Sequence, residues 1–278
     1  MDWHHPLYQV FIALFGACIG SFLNVCIYRI PSEVDLVTRP SYCGACGTPI
    51  PWRFNIPILG WFFLKGRAHC CGTRIDSRYW MIEALTAFLF WWLWKNHGAT
   101  PLFWIYAFVT SGLMVASCID LDYFIIPDRF TLGGCVAGFA VSMLYPQLHD
   151  QSTLWHGFVE SLRGAFVGGL ILFAIAKIGT WAFRREAMGL GDVKLLAAIG
   201  AFFGPWGAAF VLAASSVIGS VVGLAIIIQK RRAMGLRMPY GPFISVAAVI
   251  WMMGGDVWMS RYINNLRQLF DFFTRATP

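Results

Sequence analysis

The sequence predicts an all-α polytopic membrane protein of about eight transmembrane helices, with a small cytoplasmic cysteine-containing loop domain after the first helix. Three observations predict it. Hydrophobic residues make up 58% of the 278 residues and charged residues only 13%, where a soluble domain carries about 25% charged residues. So few charges cannot cover a soluble globule of this size, and the composition equally excludes a disordered chain and a secreted disulfide scaffold. The apolar residues are gathered into charge-free runs long enough to cross a bilayer. The basic residues fall in alternate segments between those runs, as the positive-inside rule requires. The 13 Trp and 24 Phe suit lipid-facing and interfacial surfaces.

The runs give the elements in order. Trp3 to Tyr28 contains no Asp, Glu, Lys or Arg, and the residues before it, Met1 and Asp2, include an acid and no base. That reads as a retained first helix, about Leu7–Tyr28, rather than a cleaved signal peptide. A polar segment, Arg29–Arg78, follows. Further helices are expected at about Tyr79–Trp94, Pro101–Ile119, Phe130–Tyr145 and Gly164–Phe183. The uncharged run Leu195–Gln229 is broken by Gly204-Pro205-Trp206-Gly207 into a short helix and a full one. The last span is about Gly241–Gly254. In the tail, Ile263, Leu266, Leu269, Phe270 and Phe273 are spaced for an amphipathic interfacial helix. Gly16/Gly20, Gly134/Gly138, Gly164/Gly168 and Gly219/Gly223 are small-xxx-small pairs that let helix backbones approach closely.

Segments 29–78, 184–194 and 229–237 hold 14 of the 21 Lys and Arg residues, while loops 95–100, 146–163 and 204–207 hold only Lys95 and Arg163. The first group, with 120–129, is therefore cytoplasmic and the N-terminus is outside. The net charge of +7 is explained by this bias and the lipid surface, with no nucleic-acid partner implied.

Acids at membrane level are costly and point to function. Two clusters stand out: Asp120-Leu121-Asp122 with Ile126-Pro127-Asp128, and Gly189-Leu190-Gly191-Asp192-Val193-Lys194. The topology, derived from basic residues alone, puts both at the same face, so one Asp from each can meet. Two adjacent carboxylates share a proton; one serves as general base on a water while the other donates to a substrate carbonyl. The glycines before Asp192 permit an unwound backbone along which an extended substrate can pass. Asp122 is a lesser candidate, and Asp128 reads as the cap of the helix that follows. A second reading makes Asp120 and Asp192 ion or proton relays of a transporter, although relay acids belong near the midplane. A third is a membrane scaffold built around the cysteine loop.

With these clusters in place, the chain resembles the type IV prepilin leader peptidases, membrane aspartic proteases of the G-x-G-D class. Gly20-Ser21-Phe22-Leu23-Asn24, Arg78-Tyr79-Trp80-Met81-Ile82-Glu83 and Pro239-Tyr240-Gly241-Pro242-Phe243 resemble further family segments. The resemblance implies a bacterial inner-membrane protein with Asp120 and Asp192 catalytic. It implies cleavage after a Gly in the leader of type IV prepilins or type II secretion pseudopilins. It also implies methylation of the new N-terminal residue, usually Phe, from S-adenosylmethionine. The organisation expected is a first transmembrane helix (1–28), a zinc-like, methyltransferase-associated loop domain (29–78), a protease core (79–254) and an amphipathic tail (255–278).

Within the loop, Cys43-Gly44-Ala45-Cys46 is a C-x-x-C knuckle suited to zinc. The second half, Gly66-Arg67-Ala68-His69-Cys70-Cys71-Gly72, has Ala68 where fuller family members place a first Cys. Cys71 matches the second, Cys70 is an extra neighbour and His69 another possible ligand. The expected ligand set is Cys43, Cys46, Cys70 and Cys71, holding a structural zinc that staples a segment with few core residues.

Overall fold

The computed structural model describes residues 3–268 apart from 4, 37–39, 185–187, 231–237, 263, 266 and 267. Among the described residues the regular structure is helical, and the β pairing amounts to two isolated bridges, Tyr42 with Pro49 and Arg67 with Arg74. The helices are α1 (Pro6–Arg29), α2 (Leu59–Phe63), α3 (Arg78–His97), α4 (Pro101–Tyr123), α5 (Asp128–Leu144), α6 (Leu154–Phe183), α7 (Leu190–Lys230) and α8 (Gly241–Ile250). Five stretches are long and apolar enough to cross a membrane: Pro6–Arg29, Pro101–Tyr123, Leu154–Ala182, Leu190–Gln229 and Gly241–Tyr262. The 17-residue α5 is shorter, about 26 Å, and α3 mixes four Trp with Glu83 and Lys95. The tail residues Ile263, Leu266, Leu269, Phe270 and Phe273 lie outside the described residues.

The chain divides into two compact units, residues 1–119 and 120–278. In the first, α1 packs on α3 through its small residues. A Cβ at Gly16 would sit 2.8 Å from the Cβ of Phe90, and one at Gly20 would sit 2.7 Å from the Cα of Glu83. The other side of α1 carries Leu7, Val10, Phe11 and Leu14, all exposed, as a lipid-facing stripe should be. Phe103 of α4 is fully buried and meets Phe90 and Trp94 edge-on.

In the second unit, α7 is the centre, packed by α5, α6 and α8. Its backbone leaves helical geometry at Gly204 (φ 70°, ψ −176°), immediately before Pro205. This is the break expected between a short and a full helix. Pro205 has no N–H to give the carbonyl of Ala201, four residues back. Ser161 and Ser142, both fully buried, donate hydroxyls to that carbonyl at 2.6 and 3.3 Å, so the freed acceptor is satisfied without water. Gly164 lets α6 lie directly against Gly200, and Gly134 and Gly138 do the same for α5 against Ala198 and Ala201.

Two expected boundaries shift. Helix α6 begins at Leu154, not Gly164, because Glu160 and Arg163 form an i,i+3 ion pair at 3.2 Å on an otherwise apolar helix. Thr153 caps it through His156 N–H. Helix α4 runs on to Tyr123, which puts Asp120 and Asp122 in its final turns. The α8 span, continued by a π turn from Trp251, leaves helical geometry at Gly254 (φ 114°, ψ 13°), which is the expected end.

Gly164→Leu is expected to destabilise the protein by about 1–3 kcal/mol through overpacking. The midpoint of thermal unfolding in detergent should fall by several degrees, while Gly133→Ala, whose added Cβ meets nothing closer than 4.0 Å, should leave it unchanged.

Candidate functional site

Asp120 and Asp192 are both buried in the second unit, at 5% and 9% exposure. Asp120 opens the last turn of α4. Its Oδ2 accepts the backbone N–H of Gly241 at 3.0 Å, one of the free donors at the N-terminus of α8. A Cβ at Gly241 would lie 2.7 Å from that oxygen, so glycine is what allows the carboxylate so close. Tyr240 anchors the turn, with its hydroxyl 2.7 Å from Ser215 Oγ and 3.2 Å from Ser216 Oγ on α7.

Asp192 is the third residue of α7. Its carboxylate turns back to accept a backbone hydrogen bond from Gly189, the acidic half of a capping box. The two carboxylates lie within Coulombic range of one another. Ile126 lies between their supports: its Cδ1 is 3.1 Å from a Cβ built on Gly241, and its Cβ 3.4 Å from one built on Gly191. The expectation of an unwound backbone before Asp192 needs correction. Gly191 is inside the first turn of α7, and neither it nor Gly189 has a positive φ; once the Asp192 side chain satisfies Gly189, the helix can start at once.

Asp122, two residues along, is exposed, since a helix cannot bury both faces of its last turn against one neighbour. Asp128 is not the cap of α5; Pro127 holds that position and makes no side-chain cap. Asp128 instead accepts from Lys194 Nζ at 2.8 Å, which ties the two acidic clusters together. The Thr131 hydroxyl donates to the same carboxylate oxygen at 3.2 Å.

The cysteine loop lies in the first unit. The four Sγ atoms of Cys43, Cys46, Cys70 and Cys71 are all within 4.8 Å of one another, with Cys43–Cys71 at 3.6 Å and Cys46–Cys70 at 3.3 Å. Those separations are far beyond a disulfide and close to the ~3.8 Å edge of a tetrahedron with zinc–sulfur bonds of ~2.3 Å. The thiols pair by hydrogen bonds, Cys43 with Cys71 and Cys46 with Cys70. The Thr48 hydroxyl and backbone draw the Cys46 thiol down to about 6, Thr73 lowers Cys71 in the same way, and Cys46 pushes Cys70 up to about 12. Such a set of thiol and thiolate donors fits a metal that displaces the remaining protons.

Two matching turns build this cluster. Cys43 and Ala68 each receive a backbone bond back from residue i+4 and donate to the carbonyl at i+5: Gly47 and Thr48 in one, Gly72 and Thr73 in the other. Cys46-Gly47-Thr48 and Cys71-Gly72-Thr73 are the same tripeptide, a repeat that would have aligned the halves from sequence. Ala68 thus takes the place of Cys43, and the neighbouring Cys70 supplies the missing sulfur. His69 is not in the cluster; its ring packs on Phe54 at 4.9 Å. The role of Gly241 and the Lys194 partner of Asp128 were not legible beforehand, because both are contacts between residues distant in sequence.

Purified protein should carry about one zinc per chain by inductively coupled plasma mass spectrometry. Cys70→Ser should lower that content several-fold and His69→Ala should leave it unchanged; the reverse pattern would mean that His69 is the ligand.

Residues 14–97 match the bacterial peptidase A24 N-terminal domain and residues 107–224 the type IV leader peptidase family. A prepilin leader peptidase/N-methyltransferase of Myxococcus xanthus is 37% identical over 234 residues, covering 82% of this chain and 66% of that protein, just under two thirds of it. One from Aeromonas salmonicida is 31% identical over 298 residues, covering 94% of this chain and 95% of the relative. An Escherichia coli protein named as a type 4 prepilin-like proteins leader peptide-processing enzyme is 33% identical over 261 residues, covering 84% of this chain and 89% of its own length. No solved structure matches the chain. With buried aspartates on α4 and α7 inside the second matched segment, and relatives aligned along nearly its whole length, the chain belongs to the type IV leader peptidase family.

Proposed function

We propose that the protein is a membrane-embedded aspartic endopeptidase that cleaves the leader of type IV prepilins or type II secretion pseudopilins after a Gly, and that it N-methylates the residue so exposed. The observation that carries the protease reading is the burial of Asp120 and Asp192 together, each held by a backbone N–H at a helix start. One carboxylate takes a proton from a water whose oxygen attacks the scissile carbonyl carbon. The other, protonated, donates to the carbonyl oxygen. The C–N bond then breaks and the proton passes to the departing amine. No side-chain nucleophile takes part. The family relatives support methyl transfer from S-adenosylmethionine, and no relative named above is a transporter.

The topology proposed has eight crossings in the inner membrane, with α3, α5 and the two halves of α7 counted as spans and the N-terminus outside. The cysteine loop and the aspartates then face the cytoplasm, where a basic leader meets them while the apolar pilin helix stays in the bilayer. The zinc is structural in this reading, because four thiolates leave no open coordination position for substrate.

Asp120→Asn or Asp192→Asn should lower cleavage of a purified prepilin by about 10²–10⁴-fold with the unfolding midpoint retained, and Asp122→Asn should stay within a few-fold of wild type. Full activity in either of the first two would remove the dyad. Gly241→Ala, which pushes a methyl group against the Asp120 carboxylate, should lose about tenfold or more in kcat, or ~1.4 kcal/mol of barrier, with KM little changed.

A further inference from the structure

The first unit contains a cavity of about 850 Å³ walled by α1, the start of α3 and the cysteine loop, within the range of roughly 300–1,000 Å³ typical of small-molecule sites. Aromatic side chains line it, among them Tyr42, Phe54, Trp61 and Tyr79, and the metal knuckle contributes Cys43 and Ala45. Every lining residue falls within 14–97, apart from the segment 107–224 that holds both aspartates.

At the cavity wall stands Glu83, only 9% exposed. Its Oε2 accepts the N–H of Ile58 at 2.6 Å, and Ser21 is its other hydrogen-bond partner. No Lys, Arg or His is among its partners within the described residues. Arg29, on the same wall, gives its guanidinium to the carbonyls of Asp35, Leu36 and Pro40 and so braces the loop. Ile58 has φ 64° and ψ −59°, and Leu59 N–H bonds Pro57 carbonyl at 2.6 Å. This is a γ-turn with positive φ, rare and strained for a β-branched residue. Strain of this kind persists where the surroundings over-determine it, commonly beside a ligand. Here its effect is to deliver an N–H to the carboxylate. A buried carboxylate without a cation is costly, and a ligand cation would supply the missing partner.

We propose that this cavity is the methyl-donor site. It takes S-adenosylmethionine, with Glu83 facing the sulfonium cation and the Trp61 and Tyr79 rings receiving the adenine, since Tyr42 and Phe54 already carry the guanidinium groups of Arg29 and Arg53. This rests on the methyltransferase reading above. When bound, S-adenosylmethionine supplies a methyl on sulfonium sulfur: the lone pair of a neutral N-terminal amine forms the new C–N bond, the C–S electron pair returns to sulfur as a thioether, and one amine proton leaves to water. Glu83 distinguishes the sulfonium of the donor from the neutral thioether of its product.

The test is equilibrium binding of radiolabelled S-adenosylmethionine and S-adenosylhomocysteine to the full-length protein in detergent, alongside prepilin cleavage. Glu83→Gln should weaken S-adenosylmethionine binding tenfold or more, leave S-adenosylhomocysteine within about twofold, and leave cleavage within about twofold. Ile56→Trp, which puts a larger side chain at a half-exposed lining position, should weaken both ligands with cleavage retained, and it decides the matter if Glu83→Gln fails to fold. Wild-type binding that neither variant changes would overturn the site assignment, as would an equal loss of both ligands in a well-folded Glu83→Gln. No binding by the wild type would instead overturn the methyltransferase reading itself.

Discussion

A carboxylate inside an apolar helix bundle is costly unless the protein supplies hydrogen bonds and a reason to keep it charged. This chain buries two, Asp120 and Asp192, in one unit, and much of the surrounding architecture serves them. Each is met by a backbone N–H from a helix start, Gly241 of α8 and Gly189 before α7. The donors therefore come from groups that helices leave unsatisfied in any case. Both supports are rigid helix ends, so in the proposed reaction the pair would need little rearrangement as charge develops.

Close helix packing is what makes that geometry possible. The glycines of α1, α5 and α6 bring backbones within contact of Glu83, Ala201 and Gly200, and lipid gives no hydrophobic drive that would do this by itself. The same economy appears at Pro205, where two serines on other helices satisfy the one carbonyl that the proline leaves free. Glu83 extends the pattern to the first unit, where a strained turn at Ile58 is kept in place to serve a buried carboxylate.

Charge-free runs located the apolar helices, and the break at Gly204-Pro205 was legible because proline cannot continue the ladder. Charges misled wherever they were taken as helix ends. Glu160 and Arg163 pair along α6, and Asp120 is buried within α4, so both helices run further than a charge count allows. The two catalytic candidates were legible because acids in apolar runs are rare. Asp128 was misread as a cap because its partner, Lys194, is 66 residues away. In the cysteine loop the four sulfurs, Cys70 among them, were legible in the sequence, and the structure groups them; how Cys70 makes up for the sulfur missing at Ala68 was not, since it depends on the backbone bonds of two matched turns.

The convergence of the two acids can be measured directly by cross-linking. With Cys18, Cys26, Cys118 and Cys135 replaced by Ala, Asp120→Cys and Asp192→Cys are combined in one chain, and a protease site is inserted between α5 and α6. Because a shared water leaves the two Cβ atoms further apart than a direct disulfide tolerates, a short reducible bis(methanethiosulfonate) linker is added to native membranes, and proteolysis should then leave the two fragments joined on a non-reducing gel and separated on a reducing one. Neither single substitution should give the joined band. Fragments that part without reductant in the double variant would contradict the account, because the carboxyl groups would then be too far apart to hold one water between them.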